Sequence, residues 1–130
     1  MILADTSVWV DFFDSKDNQK VQLLESSLEL EESIAFTGVI LQEIFQGVNS
    51  VRKRNVIEEC FIPFIEIYPQ RSTYLLASDL YRDCRDQGFT IRSSIDCLIA
   101  ACCIENDCKI LHKDRDYDYI CRVSNLRVAI

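Results

Sequence analysis

Met1-Ile2-Leu3-Ala4-Asp5-Thr6-Ser7-Val8-Trp9-Val10 is the stretch whose reading decides the fold. An apolar run starts at Met1 and stops on an acid followed by two hydroxyl residues. The run is too short for a helix but long enough for a buried strand. Asp, Thr and Ser are all good N-cap residues, and the segment after them is rich in apolar side chains: Val8, Trp9, Val10, Phe12 and Phe13. The stretch therefore reads as a strand entering a helix, with Asp5 at the junction. In an open α/β sheet, ligands collect at the carboxyl ends of the strands. The question for the remaining chain is whether other acids reach the same edge.

Working outward, residues 14–18 form a polar turn, and a helical pattern runs from about Lys20 to Glu32 with Val21, Leu24 and Leu28 on one stripe. Residues 33–37 read as a second strand broken by Gly38, and 39–48 as a helix ended by Gly47 and Asn49. Another helix fits Val51 to Phe61. A third strand, 64–68, is bracketed by Pro63 and Pro69. A long helix over 72–86 offers Leu75, Leu76, Leu80 and Cys84 as core positions, and Gly88 ends it. The next helix starts at Ser93 or Ser94 and runs to about Asn106, with Ser93 and Asp96 at capping-box spacing. Residues 109–111 and 127–130 read as strands, with a helix or turn over 115–123 between them. Short strands alternating with helices predict a parallel sheet covered on both faces.

The totals narrow the function classes. A chain of 130 residues is expected to form one domain, and 48% hydrophobic residues suffice to cover a sheet on both sides. With only three Gly and two Pro, disorder and a turn-rich all-β fold are disfavoured. No apolar run approaches the length of a membrane span, and the N-terminus lacks the basic region of a signal peptide. Seven cysteines without a CxxC pair, mostly in apolar stretches, predict buried thiols and a reducing cytoplasm. With His112 the one histidine, a structural zinc site is not expected. A net charge of −7 argues against general nucleic-acid binding, unless acids are gathered around a divalent ion whose own charge must be counted.

Four acidic positions carry the functional reading. Asp5 ends the first strand, where it serves as a helix cap, a metal ligand, or both. Glu43, in Leu41-Gln42-Glu43-Ile44-Phe45-Gln46-Gly47, reads by itself as an exposed acid at the edge of the helix stripe; its apolar and small neighbours also allow a partly desolvated carboxylate, costly unless paired or bound to metal. Asp96 opens a helix whose row continues through Ala100 and Cys103, beside the stripe Ile95, Leu98, Ile99 and Cys102. Asp114, followed closely by Asp116, repeats at the end of the fourth strand the placement of Asp5. Gathered carboxylates repel, and a hard divalent cation relieves that repulsion through oxygen ligands. Such a cluster suits phosphodiester hydrolysis.

On these residues the chain resembles the PIN-domain ribonucleases, specifically VapC-type toxins of bacterial type II toxin–antitoxin pairs. The resemblance runs through Ile2 to Trp9, Leu41 to Gly47, Ile95-Asp96-Cys97-Leu98-Ile99-Ala100-Ala101 and Leu111-His112-Lys113-Asp114-Arg115-Asp116-Tyr117. It implies a PIN-like three-layer α/β/α sandwich around a central, mostly parallel five-stranded sheet, forming a single PIN domain over residues 1–130. It also implies Mg²⁺- or Mn²⁺-dependent RNA cleavage, a homodimer, and inhibition by a small VapB-type antitoxin. Asp5, Glu43, Asp96 and Asp114 carry over as catalytic acids, with Asp5, Asp96, Asp114 and the auxiliary Asp116 toward the metal. Thr6 carries over as a hydroxyl contact. Arg92, Lys113 and Arg115 are the candidates for holding the RNA backbone. Tyr117 stands where phenylalanine is usual. The competing readings are another acidic-site nuclease and a non-catalytic PIN-fold binding module. A haloacid-dehalogenase-like phosphatase is disfavoured by Ser7, where that chemistry needs a second Asp.

Overall fold

The computed structural model describes all 130 residues. In chain order the elements are β1 (Ile2–Ala4), α1 (Thr6–Phe13), α2 (Gln19–Glu29), β2 (Ile34–Thr37), α3 (Gly38–Gln46), α4 (Val51–Phe61) and β3 (Ile65–Ile67), then α5 (Arg71–Asp86), α6 (Ser94–Glu105), β4 (Lys109–Leu111), α7 (Arg115–Val123) and β5 (Arg127–Val128). The strands form one five-stranded sheet in the order β3-β2-β1-β4-β5. All four strand pairs are parallel, with Leu3 opposite Ala35 on one side and Ile110 on the other. The fold is thus the expected α/β/α sandwich, with a sheet that is parallel throughout.

The order of the strands positions the site. From β1 the chain builds outward through β2 to β3, and later through β4 to β5 on the other side. The direction of winding therefore reverses between β1 and β4. Connections leaving neighbouring strands at such a switch point diverge, and a crevice opens at their carboxyl ends. Asp5 follows β1 and Asp114 follows β4, so both acids stand at that crevice. A hydrogen bond from the Asp5 N–H to the Leu111 carbonyl, 2.8 Å, ties the two strand ends together.

The central strands β1 and β2 are buried along their whole length, as a sheet covered on both faces requires. Helices α1, α2 and α3 pack together, as do α5, α6 and α7. Trp9, Phe12, Phe13, Phe61 and Phe64 pack ring against ring beneath α1 and α4. Helix α6 is the most deeply set, with every residue from Cys97 to Cys103 buried. All seven cysteines are free thiols, five of them buried and two half-buried. No helix is long and apolar enough to cross a membrane.

The element boundaries shift locally for visible reasons. Helix α2 stops at Glu29, and the chain reverses through Glu31 at a positive φ of 53°. Gly38 is the first residue of α3 rather than a break before it. On α5 the buried row is Thr73, Ala77, Leu80 and Cys84; Leu75 points to solvent. Gly88, at φ 83°, ends that connection in the left-handed region glycine favours. The capping box expected at α6 does not form: the Ser93 side chain makes no cap bond, and its backbone N–H is used elsewhere, at Asp116.

Candidate metal centre

Asp5 is both cap and site residue. Its Oδ2 accepts from the Ser7 N–H (3.4 Å) and the Ser7 hydroxyl (3.0 Å), which fixes the start of α1. Its Oδ1 accepts from the buried Tyr117 hydroxyl at 2.8 Å. The same hydroxyl lies 3.4 Å from Asp96 Oδ1, so one phenol links the acid after β1 to the acid in the first turn of α6.

Asp114 caps α7 in the same manner, its Oδ1 accepting from the Asp116 N–H at 2.9 Å. That oxygen also accepts from Arg92 Nη2 at 3.1 Å. Asp116 lies deeper, with a side chain 1% exposed. The backbone N–H groups of Arg92 (3.0 Å) and Ser93 (3.4 Å) both donate to its Oδ2. Its Oδ1 has no hydrogen-bond partner, although Arg92 Nε stands 3.9 Å away. One carboxylate oxygen from each of Asp96, Asp114 and Asp116 falls within 4.8 Å of the others.

Carboxylates this close cannot all stay charged without a counter-charge. Burial, foremost, together with the charges of Asp5, Asp114 and Asp116, pushes the Asp96 carboxyl up to about 8. A buried acceptor oxygen without a donor, as at Asp116, is costly for the same reason. A divalent cation bound among these oxygens would relieve both features. The donors are all carboxylate oxygens, which suits a hard divalent ion and not zinc held by nitrogen and sulfur. The residues present therefore fit a metal of the magnesium or manganese kind.

The other candidates take distinct places. Glu43 lies outside this group of three acids. It is exposed on α3 and accepts at Oε1 from the Thr6 hydroxyl, 2.9 Å away, so Thr6 links the acid to the β1 edge. Asp5, Ser7, Arg92, Lys113, Asp114 and Arg115 line an open cavity of about 530 Å³ with no hydrophobic residue in it. The three predicted RNA contacts thus stand around one mouth. Lys113 is held from behind by a bond to the buried Asp11, which also pairs with Lys16 at 3.3 Å and accepts from Asn18 Nδ2 at 3.0 Å.

Two of these residues escape a reading of the sequence. Asp11 sits mid-helix among aromatic neighbours and shares no motif with its partner, 102 positions away. Tyr117 registers there only as a departure from phenylalanine, and the phenol's meeting with Asp5 is a tertiary event. His112 packs against the Tyr117 ring at 4.9 Å with neither ring nitrogen hydrogen-bonded, and burial pulls its pKa down, which favours the neutral form.

Residues 2–123 match the family model described as PIN domain. Over 132 aligned positions the chain is 33% identical to VapC ribonuclease Mb1587 of Mycobacterium bovis and to ribonuclease VapC11 of Mycobacterium tuberculosis, spanning 99% of this chain and 98% of each relative. The fold is also that of VapBC2 from Rickettsia felis, solved with a promoter DNA fragment, at a TM-score of 0.77, 16% identity, and 99% and 98% coverage of the two chains. FitAcB from Neisseria gonorrhoeae superposes with a TM-score of 0.73 at 19% identity, covering 100% of this chain and 97% of that one. The chain belongs to the PIN-domain family.

Proposed function

We propose that this PIN-domain chain is a VapC-type toxin, an endoribonuclease that hydrolyses RNA phosphodiester bonds with a divalent metal and is restrained by a small cognate antitoxin. The observation that carries the reading is the convergence of Asp5, Asp96, Asp114 and Asp116 at the switch point of the sheet, in a chain 33% identical over its length to VapC ribonucleases. Magnesium is the physiological ion in this reading, and manganese substitutes for it. The residues form a single domain over 1–130, active as a homodimer in the cytoplasm, where seven unpaired thiols persist.

Asp96, Asp114 and Asp116 would hold the ion, with Asp5 completing the set. Bound there, the ion supplies Lewis-acid polarisation of the phosphoryl group and offsets the charge that would otherwise repel it. Asp5 and Asp114 are presented by helix caps, so their rotamers are fixed before substrate arrives. Tyr117 orients Asp5 by donating to the oxygen that the cap leaves free. Glu43, which accepts from the Thr6 hydroxyl, orients an attacking water or helps bind a second ion. Arg92, Lys113 and Arg115 bind the RNA backbone at the mouth, where phosphate contacts position the chain without reading its sequence. The carboxylates at the centre and cations at the rim restrict general nucleic-acid affinity to the one place where a metal offsets the acids.

The test is incubation of purified protein with total cellular RNA, with Mg²⁺ or EDTA, beside Asp5→Asn. Discrete fragments that require both Mg²⁺ and Asp5 are expected. Absence of cleavage by folded, antitoxin-free protein that still binds Mg²⁺ would favour a binding module instead.

A further inference from the structure

The geometry around Arg92 points to a role beyond a fixed RNA contact. We infer that Arg92 works in two positions: as counter-ion of the acidic cluster when metal is absent, and as a phosphate contact once metal is bound. The inference rests on the reading of Asp96, Asp114 and Asp116 as the carboxylates that hold the ion.

The root of Arg92 is fixed and its head is free. Its backbone N–H donates to Asp116 Oδ2 at 3.0 Å, with the Ser93 N–H beside it at 3.4 Å, so the chain cannot move away from the cluster. The side chain, by contrast, is 63% exposed. Its guanidinium bonds Asp114 Oδ1 at 3.1 Å and stands 3.9 Å from Asp116 Oδ1, the buried oxygen that has no hydrogen-bond partner. Arg92 therefore lies against two of the three acids that converge.

This is a weak hold. The pair with Asp114 is made by one nitrogen, not by both arms of the fork, and it is open to water, where ion pairs contribute little. With a divalent ion held by the same carboxylates, two positive charges would stand where Arg92 supplies one, and the guanidinium would be repelled. Displaced, the head remains in the cavity it shares with Lys113 and Arg115. Its planar fork of donors suits a phosphate better than an ammonium does. Lys113 cannot make the same exchange, because buried Asp11 anchors it. Metal loading thus turns an acid-bound cation into a substrate-facing one, and metal and RNA bind with positive coupling.

Two effects of opposite sign follow. Without the competing charge, Arg92→Gln should bind Mn²⁺ about 3- to 10-fold more tightly than wild type, the range set by a unit charge about 5 Å from a divalent ion in screened water. At saturating Mn²⁺ the same variant should cleave RNA with a raised KM and a nearly unchanged kcat, and the log–log salt dependence of kcat/KM should become shallower by about 0.7. Arg92→Lys should fall between the two on both measures. Mn²⁺ binding is read without RNA, by electron paramagnetic resonance, on wild type, Arg92→Gln, Arg92→Lys and Asp96→Asn. If wild type binds Mn²⁺ in an Asp96-dependent way but Arg92→Gln binds no more tightly, the two-position role of Arg92 is wrong and the metal site stands. If wild type shows no Asp96-dependent Mn²⁺ binding, the metal site and the inference fail together.

Discussion

Replacing Asp96 with Asn should make the metal-free protein more stable while abolishing its metal site. In the folded chain the Asp96 carboxyl titrates at about 8, against an ordinary 3.8. The unfolded chain therefore releases this proton near pH 4 and the folded chain only near pH 8. Between those values the folded state holds the extra proton, so stability falls as pH rises. A shift of about four pH units is worth up to ~6 kcal/mol at full conversion. The carboxylate is only partly buried and water screens its repulsion, so ~1–2 kcal/mol is the expected cost at pH 9. Asparagine fills the same volume without the charge, and a domain of this size should gain about 3–10 °C in melting temperature at pH 9 in EDTA. At pH 5, where Asp96 is already neutral, the gain should shrink to about 2 °C or less. Adding Mg²⁺ at about 100 times its dissociation constant should stabilise wild type by ~2.7 kcal/mol and leave the variant unmoved. Differential scanning fluorimetry at the two pH values, with EDTA or Mg²⁺, reads all of these. A variant less stable than wild type at pH 9, or equally stabilised at pH 5, would refute the reasoning that repulsion and burial raise this group.

Other perturbations separate the roles of neighbouring groups. Tyr117→Phe removes the hydroxyl that donates to Asp5, and should cost ~1–2 kcal/mol in urea unfolding under EDTA, with saturating Mg²⁺ closing most of the gap; an unchanged midpoint would show that the bond contributes nothing. His112 has its pKa lowered by burial below the ordinary 6.5, so the unfolded chain takes up this proton first and stability is lost as pH falls below about 6.5. His112→Leu should flatten that acid limb in a pH series of melting temperatures, and a limb of equal slope in the variant would assign it to other groups. Asp5→Asn and Asp5→Ala should both be inactive, yet Asn caps a helix about as well as Asp, whereas Ala should cost ~1 kcal/mol more. Equal unfolding midpoints for the two would deny Asp5 its capping role.

Much of the fold was legible because the signals are local. Hydrophobic runs bounded by an acid, a glycine or a proline mark β1, β2 and β3, short apolar runs mark β4 and β5, all within about two residues, and their alternation with helices implies the parallel sheet. What went unread was decided by partners distant in sequence. Leu75 carries the right periodicity for a buried face, but α5 turns Ala77 and Leu80 inward because α6 and α7 lie on that side. Ser93 and Asp96 have the spacing of a capping box, yet a buried carboxylate 23 positions beyond Ser93 takes its N–H instead. The candidate acids were found by type and placement. Their relative depth was not: Asp116, read as auxiliary, is the more buried of the pair with Asp114. An α-helical turn alternates exposure by rotation, and only the surface against which α7 packs determines which acid turns inward.

Cap and ligand are not competing explanations for Asp5 and Asp114. A carboxylate has two oxygens and about four acceptor positions, and a helix N-terminus occupies only part of that capacity. Asp5 uses Oδ2 for Ser7, which leaves Oδ1 directed at Tyr117 and the site. Capping also fixes the side-chain rotamer, so the entropy of orienting the acid is lost on folding rather than on metal binding. The partial positive charge of the helix N-terminus lets the site hold more negative charge than a loop of the same composition would. A parallel sheet repeats this geometry wherever a strand passes into a helix, and the switch point brings two such junctions side by side. Asp96, in the first turn of α6, receives the same help from a third helix. The acids therefore gather where the N-termini of α1, α6 and α7 share the cost of keeping them together.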